Sequence, residues 1–352
     1  MITFLAYYPH KKDEKDGMMQ RVLNVDEFFK EHSRQYIDIG LRRKDIKKHE
    51  LLSNKLNIYR LNIFFDLILI IRLIKKSKII YVHSIYNVRF SFLILFLLGL
   101  GKKTVLDVHG VVPEENLLLG KKIAYYKYSI IEYFTFRLIS GIIYVTDVMK
   151  KHYDLKYPWS SNIPSIVYNI YPNFPMNYIF SEQYEGSKTI VIYSGNCQKW
   201  QNVDMILEII KKNRNEHIEY VILTGEPLIF EKKINELGIV KGLWNLSVLS
   251  VKPSELPQYY SKAHYGFILR DDILVNQVAN PTKMLEYLIF GIIPIVKSPK
   301  IGDFALYNYD YVLYTDFHTS LRPQKSSLNV DIAKKILIKK EELSTFVFGM
   351  NK

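Results

Sequence analysis

Residues 280–296 read NPTKMLEYLIFGIIPIV and set a carboxylate, Glu286, three positions after an ammonium, Lys283. Just ahead stand Asn280, suited to capping a helix, and Pro281, suited to its first position. Gly291 suits the left-handed stop. The free N–H groups and positive dipole of a helix start can hold a phosphate. A carboxylate one turn further in can accept hydrogen bonds from sugar hydroxyls. The same spacing also describes a plain Lys–Glu surface pair, worth only about 0.2–0.5 kcal/mol. On a helical wheel Met284, Leu285, Leu288 and Ile289 form the buried stripe, and Lys283 and Glu286 fall outside it.

Other stretches offer partners for such chemistry. In YSGNCQKWQN, residues 193–202, Gly195 and Asn196 form a turn that permits close backbone approach, and Lys199 could reach a phosphate. His109 in LDVHGVVPEE sits at a strand end, where it could touch a phosphate or position an acceptor. Gly17 opens the first long helical pattern and leaves room for a substrate near the backbone. Arg270, in RDD, stands in a loop and could supply one contact; that motif lacks the spaced D-x-D of many metal-dependent sugar transferases. A plain turn, a structural histidine and a solvated lysine remain the alternatives at these positions.

Positioning these residues requires strands that end in loops. ITFLAYY, KIIYVHS, KTVLDVHG and GIIYVT read as strands separated by helical patterns, including FSFLILFLLGLG at residues 90–101. Alternation of this kind predicts a parallel sheet wrapped by helices. Residues from about 154 to 187 are rich in Pro, Asn, Ser and Tyr, and then the alternation restarts at KTIVIYSG. The expectation is two α/β domains, 1–175 and 176–328. A C-terminal helix within 329–352 is expected to pack back on the first domain.

Composition narrows the class. With 352 residues, 48% hydrophobic, the chain suits two packed domains. A net charge of +13 draws it toward an anionic partner. A single cysteine, Cys197, excludes a disulfide framework and predicts a cytoplasmic protein. There is no G-x-G-x-x-G, no Walker A and no Cys/His cluster for zinc. Neither apolar run, IFFDLILIIRLIKK nor 90–101, supplies the roughly 20 residues a membrane span needs. The segment GKKIAYYKYSIIEYFTFRLIS carries Lys121, Lys122, Lys127 and Arg137 among aromatic residues, as interfacial helices do. A nucleic-acid binder is the alternative that charge alone suggests, but no recognisable module supports it.

Together these pieces resemble the GT-B glycosyltransferases of the family-4 type, especially those that build bacterial surface polysaccharides such as capsule or O-antigen. The resemblance rests on NPTKMLEYLIFGIIPIV, VKPSELPQYYSKAHYGFILR and YSGNCQKWQN, with weaker support from VHGVVPEE and IIYVTDVMKKHY. It implies two Rossmann-like domains facing a central cleft and a nucleotide-diphosphate sugar held mainly by the second. Glu286 would bind the ribose hydroxyls. The amides of Thr282 and Lys283, with Lys199, would hold the diphosphate. His109 would lie near the reacting sugar. Transfer would retain configuration, need no metal or other cofactor, and serve a lipid-linked or oligosaccharide acceptor at the inner face of the plasma membrane. One departure stands out: the family's E-x7-E pattern would place a first Glu at 278, where this chain has Val278. That leaves open a noncatalytic relative that binds sugar nucleotide.

Overall fold

The computed structural model describes residues 1–10, 17–41, 48–88, 103–169, 188–239, 245–318, 321–338 and 342–349. The helix expected near 90–101 and the domain boundary expected at 175 lie outside them. The chain divides into two compact units, residues 1–170 with 339–352, and residues 171–338.

The first unit is built on an eight-stranded sheet. Its strands are β1 (Ile2–Leu5), β2 (Arg34–Gly40), β3 (Lys48–Ser53), β4 (Leu56–Asn62), β5 (Ile79–His83), β6 (Lys103–Val108), β7 (Gly141–Tyr144) and β8 (Ser165–Val167). Their order is β3-β4-β2-β1-β5-β6-β7-β8, parallel throughout except for the β3–β4 hairpin. Strands β1, β5 and β7 are buried end to end, as a sheet covered on both faces requires. Described helices of this unit are α1 (Gly17–Phe28), α2 (Leu67–Lys75), α3 (Val112–Leu118), α4 (Lys122–Leu138) and α5 (Asp147–Lys156).

The second unit has a six-stranded, all-parallel sheet. Strands β9 (Thr189–Ser194), β10 (Ile218–Leu223), β11 (Leu246–Leu249), β12 (Tyr265–Ile268), β13 (Ile293–Val296) and β14 (Val312–Leu313) take the order β11-β10-β9-β12-β13-β14. That is the 3-2-1-4-5-6 order of a doubly wound sheet, whose direction of winding reverses between β9 and β12. In such sheets ligands bind at that reversal, beyond the strands' carboxyl ends. The helices are α6 (Val203–Lys212), α7 (Pro227–Glu236), α8 (Leu256–Tyr260), α9 (Leu274–Gln277), α10 (Thr282–Ile289) and α11 (Ser327–Ile338). The apolar faces of α6 and α7, with Ile206, Leu207, Ile210, Phe230 and Ile234, close one core over β9 and β10. The tail expected from 329 holds the end of α11 in this unit and α12 (Glu342–Gly349) in the first, where Phe348 packs on Phe29 and His32.

Candidate active site

The loops at the winding reversal of the second unit carry a cluster of charged side chains. Strand β9 is buried throughout and ends at Ser194. The chain then turns at Gly195, whose φ of 152° favours glycine. The Tyr193 hydroxyl donates to the Asn196 carbonyl at 2.7 Å and pins the turn. A short 3-10 turn, Lys199–Gln201, leads to α6.

Helix α10 delivers the other side. It starts one residue later than its sequence suggests: Pro281 occupies the cap position and no side chain caps the helix. A proline there has no side-chain acceptor, so the amides of Thr282 and Lys283 have no partner among the described residues, while Met284 N–H donates to the Pro281 carbonyl at 2.9 Å. Gly291 follows the helix with φ 65°, as expected. Residues Met284 to Leu288 are all buried, so the wheel's polar side is buried too. Lys283 and Glu286 are therefore not a surface pair; they turn to different partners.

The Lys283 ammonium donates to Gln201 Oε1 at 3.0 Å and lies 4.3 Å from the centre of the Tyr193 ring. Both partners are neutral. Arg270, just beyond β12, is 9% exposed, and its Nε has no hydrogen-bond partner. Burial lowers the Arg270 guanidinium to about 10. Burial, then the positive field of Arg270, push Lys283 down to about 7, against the pull of Glu286. The aspartates after Arg270 do not relieve it: Asp271 pairs with Lys297 and Asp272 with Lys300. Asn280 adds a buried Nδ2 donor without a partner.

Glu286 is 9% exposed, and its Oε2 accepts from the Tyr260 hydroxyl at 2.8 Å. Burial raises its pKa, opposed by the Tyr260 hydrogen bond and by Lys283. Behind it, the Ser194 amide donates to the Tyr287 hydroxyl at 3.2 Å, and the Tyr287 ring fills the space a Cβ on Gly266 would need. The site thus gathers Gly195, Asn196, Arg270, Asn280, Thr282, Lys283 and Glu286 around the same three loops. Lys199 is exposed on the neighbouring 3-10 turn. Val278 is 1% exposed and apolar, so no carboxylate arises there. Gln201, Tyr193, Tyr260 and Ser194 were not singled out by sequence, and nothing in their spacing marks them.

His109 and Gly17 belong to the first unit. Gly17 opens α1, and one turn on Arg21 binds Asp107 through Nε and Nη2 at 2.6–3.1 Å. Asp107 also accepts from Tyr81 at 2.9 Å and lies 3.1 Å from His109 Nε2. His83 Nδ1 is 3.2 Å from His109 Nε2. Burial lowers the pKa of both histidines. His83, Asp107 and His109 place possible metal-ligand atoms within 4.8 Å of one another. The carboxylate's roughly four lone-pair sites are already met by Arg21, Tyr81 and His109, so the donor set does not suit an ion.

No protein-family model matches the sequence, and no curated protein does. Solved structures do resemble it. HepE (Alr3699) of Anabaena, solved in complex with UDP-glucose, superposes with a TM-score of 0.62 at 9% identity, over 98% of this chain and 91% of HepE. The alpha,alpha-trehalose 6-phosphate synthase of Burkholderia multivorans gives 0.62 at 8% identity, over 99% and 96%. Sucrose-phosphate synthase of Thermosynechococcus elongatus gives 0.58 at 11%, over 98% and 92%. At such identities the likeness carries the fold: this chain has the GT-B fold, with two Rossmann-like domains.

Proposed function

We propose that the protein is a retaining glycosyltransferase that moves a hexosyl unit from a nucleotide-diphosphate sugar to a lipid-linked glycan acceptor in surface polysaccharide synthesis. One observation carries the donor assignment. Arg270, buried, and Lys283, half-buried beside it, have no carboxylate in ion-pair contact among the described residues, at a helix start that no side chain caps. Unpaired buried cations are costly, and a dianionic diphosphate relieves that cost. Glu286, one turn deeper, suits the ribose hydroxyls. HepE, bound to UDP-glucose on a similar fold, supports the reading.

Lys283, Arg270 and the amides of Thr282 and Lys283 hold the diphosphate, with Asn280 Nδ2 as a further donor. Positive charge aimed at the leaving group is worth most where charge grows in the transition state. These groups supply that charge, and we propose transfer without a metal. On this reading Lys199 is assigned to the leaving diphosphate, His109 to the neighbourhood of the reacting sugar, and Gly17 to the acceptor side. Glu286→Gln keeps the shape and removes the charge; it should weaken UDP- or GDP-sugar binding by about 1.5–3 kcal/mol. Unchanged affinity and turnover would sink the assignment. A noncatalytic sugar-nucleotide binder is the second reading, favoured by Val278. Donor hydrolysis by the parent, lost in Glu286→Gln, decides between the two.

The acceptor side of the proposal rests on α4. Its exposed face carries Ile123 (87% exposed), Tyr126, Ile130, Phe134 and Leu138. Lys121, Lys122, Lys127 and Arg137 are exposed around them. The helix's only carboxylate, Glu132, is turned inward to Lys156, Tyr153 and Tyr157. An apolar face ringed by cations suits anionic lipid. No helix among the described residues is long and apolar enough to cross a membrane. Docking at the cytoplasmic face of the plasma membrane should therefore be peripheral. The triple variant Lys121→Glu, Lys122→Glu, Lys127→Glu should lose binding to phosphatidylserine vesicles, at about 1 kcal/mol per charge removed. A parent that ignores such vesicles at low salt would overturn the docking surface and leave the donor site untouched.

A further inference from the structure

Glu286 is held from outside its own helix. The Tyr260 hydroxyl, from the last residue of α8, lies 2.8 Å from Glu286 Oε2 and 2.8 Å from Ser194 Oγ. A phenol has one proton. The carboxylate, a pure acceptor, takes it, and the serine hydroxyl then donates to the phenol oxygen. This orders a chain from Ser194 through Tyr260 to Glu286, drawing on β9, α8 and α10.

The chain is braced on every side. The Tyr260 ring is fully buried and packs edge-on against Tyr287, centroids 5.6 Å apart, and against Phe290. The backbone end of Tyr260 is fixed as well: Lys325 Nζ donates to the carbonyls of Tyr260, Ser261 and Phe290 at 2.8–3.2 Å. One ammonium thereby ties together the carboxyl ends of α8 and α10, where helix dipoles favour a cation. Glu286 Oε1 has no hydrogen-bond partner among the described residues, and the Tyr260 bond to Oε2 orients the carboxylate.

We propose that Tyr260, backed by Ser194, is a positioning residue for Glu286, presenting one carboxylate oxygen to the ribose hydroxyls of the bound nucleotide. The inference rests on the donor-site reading above. Tyr260 contacts no substrate in this account; it acts through the carboxylate. Losing its hydroxyl frees the carboxylate to rotate and leaves a buried oxygen unsatisfied, so the preference for a ribose diol should suffer while diphosphate binding persists.

The test is a ratio of affinities. Calorimetry measures UDP and GDP, and their 2′,3′-dideoxy counterparts, on the parent, Tyr260→Phe, Glu286→Gln and the double variant. The parent should prefer the diol nucleotide by about tenfold or more, the effect of a hydrogen bond to a charged acceptor. Tyr260→Phe should shrink that preference several-fold while the dideoxy affinity changes little. The double variant should be no worse than Glu286→Gln alone, since the two residues act as one unit. Equal weakening of diol and dideoxy nucleotides in Tyr260→Phe would overturn the inference and leave Tyr260 a packing residue. Should that variant not fold, Ser194→Ala replaces it: a reduced preference supports the chain, and an unchanged one overturns it. A parent that binds neither nucleotide would instead overturn the donor-site reading itself.

Discussion

Each unit buries an arginine beside the carboxyl ends of its parallel strands, and the two are treated oppositely. In the first, Arg21 is 1% exposed and grips Asp107 with paired bonds, while Nη1 donates to the Tyr168 carbonyl at 3.2 Å. The pairing wins over burial: Arg21 is raised, and Asp107 sits well below the usual carboxylate range despite its burial. In the second, Arg270 keeps an unpartnered Nε and is lowered, and Lys283 beside it is lowered further. A buried cation with its anion built in is architecture. A buried cation without one, Arg270, is what we propose receives an anion from outside.

That contrast predicts opposite costs. The largest effect should come from Asp107→Asn, which strands a buried guanidinium; unfolding in urea should show a loss of about 3–5 kcal/mol. Arg270→Met should do the reverse to stability, leaving it unchanged or raised, because no partner is orphaned and a charge leaves the interior. Its nucleoside-diphosphate affinity should drop by about 1.5–3 kcal/mol, read by calorimetry. If Arg270→Met unfolds as readily as Asp107→Asn, the two arginines are alike and the comparison fails.

Lys283 sharpens the contrast through pH. Burial and Arg270 push Lys283 down to about 7, and on the proposed donor reading a bound diphosphate would keep the proton on it. Binding above that pH therefore takes up a proton, and affinity should fall as pH rises, by at most about tenfold per unit. Stability moves the other way. The unfolded lysine keeps its proton to about 10.4, so between 7 and 10.4 the unfolded chain binds more protons. By linkage, the contribution of Lys283 to unliganded stability rises with pH across that window. Lys283→Met should flatten both trends, measured by calorimetry in buffers of differing ionisation heat and by melting curves. The smallest effect belongs to Lys199→Ala. Its ammonium is exposed and screened over about 8 Å at physiological salt, so turnover should fall by roughly tenfold or less with no loss of stability.

Strand and helix alternation was legible where a buried strand is a short apolar run bounded by turns; β2, with Arg34, Gln35 and Asp38, and the β3–β4 hairpin carry no such run and were not read. The segment 280–296 was legible as helix, glycine stop and buried strand for the same reason. The burial of Glu286 and the turn of Lys283 toward Gln201 were not. A wheel assumes one wet face, whereas α10 is enclosed by β9, α8 and the Arg270 loop, and no local pattern encodes that. The cap moved from Asn280 to Pro281, and Asn280, its Nδ2 buried without a partner, caps nothing. Arg21 and Asp107 are 86 positions apart, and Tyr260 and Glu286 are 26 apart. Such pairings belong to the sheet order, which a single sequence does not reveal. His109 was marked as a histidine at a strand end, yet His83, which its ring faces, lies on another strand.

Gly195 carries a consequence for anyone who varies this protein. A Cβ built there would stand 2.6 Å from Lys283 Nζ and 3.0 Å from the Tyr193 hydroxyl. The missing side chain is the volume in which the lysine's charge resides. Positions 195 and 283, 88 residues apart in the chain, share this space, so a side chain at 195 would push the Lys283 ammonium aside. Any side chain at 195 is strained by the φ of 152°, and it must also displace the Lys283 ammonium and crowd the Tyr193 hydroxyl. Selection for altered donor preference is better aimed at the residues flanking this pair than at the pair itself.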